Sequence, residues 1–171
     1  MNFPLLETHR TILRQVSLND AEDIYKMYAD AEAMRFRESP PLKSYEEAIA
    51  LIQKYISDFE TRAAVRWGIY FKGDNKLIGT IVWKKSHPEN EFGYSLDKNY
   101  WRRGIMFEVV SRIISYLFEE VGLKYVTARA KLLNIASQEL LLKTGFELIG
   151  ENDQVRSFKL NSEKYFSLRH Q

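Results

Sequence analysis

A chain of 171 residues, 45% apolar and 13% aromatic, fits one compact domain and can fill a single core without covalent staples. Lys plus Arg number 25 against 23 for Asp plus Glu, with the basic residues spread along the chain, so no charge block marks a nucleic-acid footprint. Cysteine is absent and His9, His87 and His170 lie far apart, which removes thiolate chemistry and leaves neither a metal site nor a Ser-His-Asp triad with local support.

The segment Met1 to Glu7 has neither a charged start nor a sustained apolar run. Nowhere do apolar residues persist long enough to span a bilayer, so a cytoplasmic location is expected. Thr8 to Gln15 reads as a strand, and Ser17-Leu18-Asn19-Asp20 as the start of a helix over Ala21 to Ala29. Pro40-Pro41 forces an extended link within Met34 to Lys43. Ser44-Tyr45-Glu46-Glu47 is a capping-box pattern that opens a second helix to Glu60. Two β-rich runs between Arg66 and Lys85 flank Gly73-Asp74-Asn75, a hairpin turn, and Leu77 to Trp83 is a core strand. A turn at His87-Pro88-Glu89-Asn90 precedes a strand over Glu91 to Leu96. Gly104 to Glu120 carries Val109, Val110, Ile113, Ile114, Leu117 and Phe118 on one helical face, and Gly122 stands where a left-handed residue would end it. Tyr125 to Ala130 is a strand and Ile135 to Thr144 a helix with Gly145 at its cap. Phe146 to Leu160 with Lys164 to Arg169 is expected as a closing hairpin. Phe158 and Phe166 on that hairpin are candidates for an exposed dimer surface. A single domain over residues 1–171 is expected, mixed α/β with a central, mostly antiparallel twisted sheet of about seven strands flanked by four helices. The order is not a Rossmann alternation.

Three stretches carry chemistry. Trp101-Arg102-Arg103-Gly104-Ile105-Met106 is a basic, glycine-bearing loop at a helix start, where unpaired N–H groups and the positive end of the helix dipole attract phosphate. Asn134 and Ser137, three apart, share a face of the first turn of a helix that follows a strand. Glu91 opens its strand with Gly93 and Ser95 on its own face and Phe92, Tyr94 and Leu96 on the other, and a carboxylate there can take a proton from an ammonium group. Phe36, Glu38, Trp67 and Trp83 are candidates for an acceptor pocket.

Together with Lys143-Thr144-Gly145-Phe146, these stretches resemble the acetyl-CoA half of a GCN5-related N-acetyltransferase, and more narrowly the branch that acetylates the N-terminal alanine of ribosomal proteins. The resemblance implies the acyl-CoA N-acyltransferase fold, acetyl-CoA as cofactor, and an amine acceptor such as a protein N-terminus. It implies that the amides of Arg102, Arg103, Gly104, Ile105 and Met106 hold the CoA pyrophosphate, that Asn134 binds the pantetheine arm, and that Ser137 donates to the leaving thiolate. Met106 departs from the family's small residue at its position. From the fold also come the backbone amides of Tyr94, Ser95 and Leu96 as donors to the thioester oxygen. Glu91 is the expected base, acting directly or through water, in a direct transfer that needs no metal and no covalent enzyme intermediate. Polyamine and aminoglycoside acetyltransferases share this cofactor half, and a non-catalytic acyl-CoA sensor would keep it while needing neither Glu91 nor Ser137. A plain structural domain would bind no CoA.

Overall fold

The computed structural model describes residues 2–86 and 89–169; His87, His170 and the first half of the turn expected at His87 to Asn90 lie outside the described residues. The short strands β1 (Leu6–Glu7) and β2 (Thr11–Gln15) pair through a tight turn in which the Thr8 hydroxyl accepts from the Thr11 amide at 3.0 Å. Asp20 Oδ2 accepts from the Ser17 amide at 2.7 Å, which directs the chain into α1 (Ala21–Ala29). A single turn, α2 (Ala31–Met34), is capped by Asp30, whose Oδ1 accepts from Ala33 N–H at 3.0 Å. The proline-containing link follows, and the Ser44 hydroxyl accepts from Glu47 N–H to begin α3 (Tyr45–Glu60).

The hairpin of β3 (Ala64–Phe71) and β4 (Leu77–Lys84) turns at Gly73 and Asn75, both at positive φ. β4 pairs with β5 (Phe92–Leu96), completing an antiparallel sheet in the order β1-β2-β3-β4-β5. The chain then enters α4 (Ile105–Ser115), which continues as a wider turn over Tyr116–Glu120 and stops at Gly122, φ 78°. There follow β6 (Tyr125–Lys131), α5 (Ile135–Lys143), β7 (Glu147–Glu151), β8 (Val155–Asn161) and α6 (Ser162–Arg169), with a second antiparallel sheet in the order β6-β8-β7.

The mixed α/β, antiparallel expectation holds, but in place of one sheet of about seven strands and four helices the described residues form eight strands in two sheets of five and three, with six α-helices. Two expectations at the C-terminal end are corrected. The hairpin closes within Glu147–Glu151 and Val155–Asn161, where Asn152 Oδ1 accepts from both Gln154 and Val155 N–H, and Lys164 to Arg169 is helical. That helix has no apolar stripe to announce it. Its one buried side chain, Tyr165, docks it, tilted against Phe118 at 5.0 Å and donating to Glu119 Oε1 at 2.6 Å, with Lys164 and Arg169 pairing to Glu147 and Glu119 at the surface. Phe158 is not a surface residue either: it points from β8 into the core, 1% exposed, while Phe166 is exposed.

Strand alternation gives the first sheet two faces. Trp67, Ile69, Ile81, Trp83 and Phe92 meet Val109, Val110, Ile113 and Ile114 of α4, each such aliphatic burial stabilising by about 1.5–3 kcal/mol. Tyr70 and Leu77, on the other face, meet Ile24, Tyr28 and Ile52 of α1 and α3. Both faces converge on β5.

Candidate active site

Residues of an antiparallel ladder alternate between pairs that exchange hydrogen bonds and pairs that do not. Lys84 N–H donates to Glu91 O at 2.8 Å and Asp97 N–H to Ile78 O at 2.7 Å, so Glu91, Gly93, Ser95 and Asp97 direct their backbone groups at β4. Phe92, Tyr94 and Leu96 therefore turn theirs away from β4, toward β6. The two strands touch only at one end, where Glu91 lies opposite Thr127 in a parallel bridge and Thr127 N–H donates to Asn90 O at 3.2 Å. Beyond that bridge they part, because β6 pairs along its length with β8. The Leu96 carbonyl in the gap accepts from the Trp101 indole N–H at 2.8 Å. The Tyr94 amide faces the gap with no strand partner. Of the three amides expected at the thioester, those of Tyr94 and Leu96 point into the split and that of Ser95 belongs to the ladder opposite Thr80. Close packing of β4 on β5 depends on Gly79, where a Cβ would sit 2.5 Å from Ser95 O.

The split opens into a cleft of about 140 Å³ lined by Phe36, Glu38, Gly93, Tyr94, Arg129, Asn134 and Ser137 among others. Asn134 is the N-cap of α5; its Oδ1 accepts from Ser137 N–H at 3.2 Å, which leaves its amide nitrogen for a ligand and fixes Ser137 in the first turn. Ser137 Oγ lies 2.7 Å from Tyr94 Oη. Burial pushes the Tyr94 phenol up to about 12, against the opposing pull of the Ser137 hydroxyl, so it stays protonated near neutral pH and can donate to Ser137. The Ser137 proton is then available to a group in the cleft.

At the far end of β5, Arg102 (φ 60°) and Gly104 (φ 73°) are left-handed, a backbone form that turns successive amides toward one point. The first helical bond of α4 runs from Glu108 N–H to Gly104 O at 3.3 Å, so the amides of Ile105, Met106 and Phe107 have no acceptor within the helix. The side chains of Ile105 and Met106 are buried in the core, which leaves only their backbone for a ligand. Arg102 and Arg103 are exposed and make no ion pair among the described residues; Arg103 lies over Tyr100 at 5.3 Å. A third cation joins them. Arg10 Nε donates to Glu108 Oε1 at 2.7 Å, and its Nη2 lies 3.5 Å from where a Cβ on Gly104 would stand. Burial works to raise the Glu108 carboxyl, but Arg10 and the Thr8 hydroxyl outweigh it and hold it below the usual carboxylate range.

Glu91 shares a face with Gly93 and Ser95, 12% exposed at its side chain, between Arg129 Nε at 2.8 Å and Lys84 Nζ at 3.4 Å. The structure thus gathers Tyr94, Asn134 and Ser137 in one cleft, and Glu91 adjoins it through Arg129. Phe36 and Glu38 line it as expected of an acceptor pocket; Trp67 and Trp83 do not, being buried on the α4 face, with the Trp67 indole donating to Pro4 O at 2.7 Å. Sequence reasoning missed two groups, the Tyr94 phenol and Arg10. Alternation places Tyr94 on the face opposite Glu91, but nothing local pairs it with a serine 43 residues away.

Residues 10–147 match the family model of the acetyltransferase (GNAT) domain. The chain is 38% identical over 151 residues to the uncharacterized N-acetyltransferase YoaA of Bacillus subtilis (strain 168), covering 86% of this chain and 85% of that protein. Its fold matches the crystal structure of a GNAT-family acetyltransferase from Bacillus anthracis with TM-score 0.84 at 18% identity, over 94% of this chain and 99% of the other. It also matches RimL, a ribosomal L7/L12 α-N-protein acetyltransferase in complex with coenzyme A, with TM-score 0.82 at 16% identity, over 92% and 98%.

Proposed function

The chain belongs to the GNAT acetyltransferase family, as an N-acetyltransferase that uses acetyl-CoA, and from that premise we propose direct transfer to the α-amine of a protein N-terminus within one domain spanning residues 1–171. The observation that carries this reading is the split between β5 and β6, where the unpaired Tyr94 amide and the Ser137 hydroxyl face one cleft.

The donor's fit rests on three features: the left-handed loop with its free amides, the unpaired Arg102 and Arg103 beside Arg10, and the Asn134 amide nitrogen. When bound, acetyl-CoA supplies an acyl group already activated as a thioester. Arg102, Arg103 and the amides of Gly104, Ile105 and Met106 would hold the pyrophosphate, and Asn134 would hold the pantetheine arm. The Tyr94 and Leu96 amides donate to a carbonyl oxygen in the split, where they need no reorganisation. Ser137 Oγ–H, oriented by its hydrogen bond from the Tyr94 phenol, would donate a hydrogen bond to the departing thiolate, which takes its proton from solvent in the open cleft. Glu91 already accepts from Arg129 and Lys84, so a water beside it carries the ammonium proton to it.

An open cleft edged by Phe36 and Glu38 of the link suits a peptide end, and the sequence pattern of the ribosomal-protein branch supports an alanine-type N-terminus. The crowding by Met106 that would favour a sensor is absent, since its side chain is in the core. No described helix is long and apolar enough to cross a membrane, in keeping with the cytoplasmic location we propose. Leu148, Ile149, Phe166 and Leu168 are exposed apolar side chains, and the homodimer we propose through them is tested by light scattering.

The test is calorimetric titration with acetyl-CoA, followed by thiol release from the saturated enzyme with peptides beginning in Ala, Ser or Met, alongside spermidine and kanamycin. Transfer to peptides is expected. Transfer only to a small amine would move the acceptor assignment, binding without transfer would leave a sensor, and no binding would sink the cofactor site.

A further inference from the structure

On the α1–α3 face, β5 carries a polar cluster that the transfer chemistry does not use. Ser95 Oγ lies 3.0 Å from Tyr28 Oη and accepts from Arg37 Nη1 at 3.1 Å. Thr80 Oγ1 lies 2.6 Å from Tyr28 Oη and accepts from Arg66 Nη1 at 3.1 Å. Arg37 stacks on the Tyr28 ring at 4.4 Å and Arg66 on the Tyr55 ring at 4.3 Å. Neither arginine has a carboxylate in ion-pair reach among the described residues; each is held there by a hydroxyl and an aromatic ring face. Two half-buried guanidinium ions of like charge on either side of the Tyr28 hydroxyl are costly unless an anion joins them. The Tyr55 hydroxyl, on a residue 6% exposed, makes no well-formed hydrogen bond among the described residues.

We propose that Arg37 and Arg66, with Tyr55, bind an anionic group of the acceptor, a carboxylate or a phosphate, held a few bonds from the amine that is acetylated. This rests on the acetyl-transfer reading above, whose cleft the cluster adjoins. Ser95 stands between Tyr94 and Leu96, the residues whose amides face the split, and Gly93 in the cleft lining is two residues away, about 7 Å along a strand. An amine lying over Gly93 therefore has Glu91 on one side and the arginine pair on the other at similar spacing. The link that carries Arg37 is clasped over the cleft, Lys131 Nζ donating to Arg37 O at 3.2 Å. A guanidinium fork suits the planar or tetrahedral oxygens of either anion, and the same charge repels polyamines. In a protein N-terminus the anion is an acidic first or second side chain; in a free amine it is an α-carboxylate or a phosphate ester.

Thiol release at saturating acetyl-CoA is compared within matched pairs: peptides beginning Ser-Glu against Ser-Gln, free alanine against alaninamide, and phosphoethanolamine against ethanolamine. The anionic member of at least one pair is expected to have a KM about tenfold lower, and the pair showing it identifies the source. Arg37→Gln and Arg66→Gln each raise that KM with little change in kcat, while calorimetric acetyl-CoA affinity stays unchanged. Equal KM within every pair, or a preference for spermidine, overturns the proposal. Should Arg66→Gln disturb folding, Arg37→Gln, on the link outside the sheet, decides. If no amine is acetylated, the acetyl-transfer reading falls and the anion site is read separately. The CoA-saturated protein is then titrated with inorganic phosphate: binding that the double variant loses supports the site, and no binding to the unaltered protein overturns it.

Discussion

The two faces of β5 are built differently. On the α4 and α5 face the donors are mostly backbone: the Tyr94 amide in the split, the first amides of α4, and a left-handed loop, with Ser137 set by an Asn134 cap. On the α1–α3 face they are side chains brought from four segments, Tyr28, Arg37, Arg66 and Ser95. Backbone donors fit what every thioester of CoA has in common, whereas converging side chains fit one acceptor. The motifs that carry the family resemblance lie on the first face, although the family model, matching residues 10–147, spans both.

The largest effect that would test this division is on turnover. Tyr94→Phe and Ser137→Ala should each lower kcat by about 100-fold, with the double variant little worse than either, since both break the one hydrogen-bonded pair that faces the departing thiolate. Calorimetry should find acetyl-CoA affinity nearly unchanged; a parallel loss of affinity would break the separation of roles. Next in size, Arg103→Glu should weaken acetyl-CoA binding by about tenfold, more at low salt, while leaving the acceptor KM alone. Gly104→Val forces a β-branched residue into φ 73° and should cost about 1–2 kcal/mol in urea unfolding, showing that the loop's backbone form is itself a stability term. The smallest effect is on alkaline stability. Burial raises the Tyr94 phenol from 10.0 to about 12, so its contribution is complete below the lower value and is lost as pH rises through the higher. The loss of stability in that window should be smaller in Tyr94→Phe; an identical decline would mean that Tyr94 is not buried as described.

How much of each face was legible follows from the same contrast. Reciprocal caps at Ser17 and Asp20, the Ser44 cap, the Gly73 to Asn75 turn and the left-handed stops at Gly122 and Gly145 are local, and the elements they bound lie where the sequence places them. The loop at Arg102 to Met106 and the Asn134 cap are local too. Helix α6 escaped because a single docked side chain, Tyr165, decides it rather than a period. The β5–β6 split was invisible because it arises from β6 choosing β8, a pairing across some thirty residues. Trp67 and Trp83 misled because an aromatic in a strand reads the same whether it fills a core or lines a pocket.

The most direct measurement is the carbonyl stretch of acetyl-CoA labelled with ¹³C at the thioester, taken by difference infrared spectroscopy on the saturated protein. Hydrogen bonding from the Tyr94 and Leu96 amides should lower its frequency relative to free acetyl-CoA. A bound cofactor whose carbonyl absorbs at the free frequency would contradict the claim that the split between β5 and β6 is where acetyl transfer takes place.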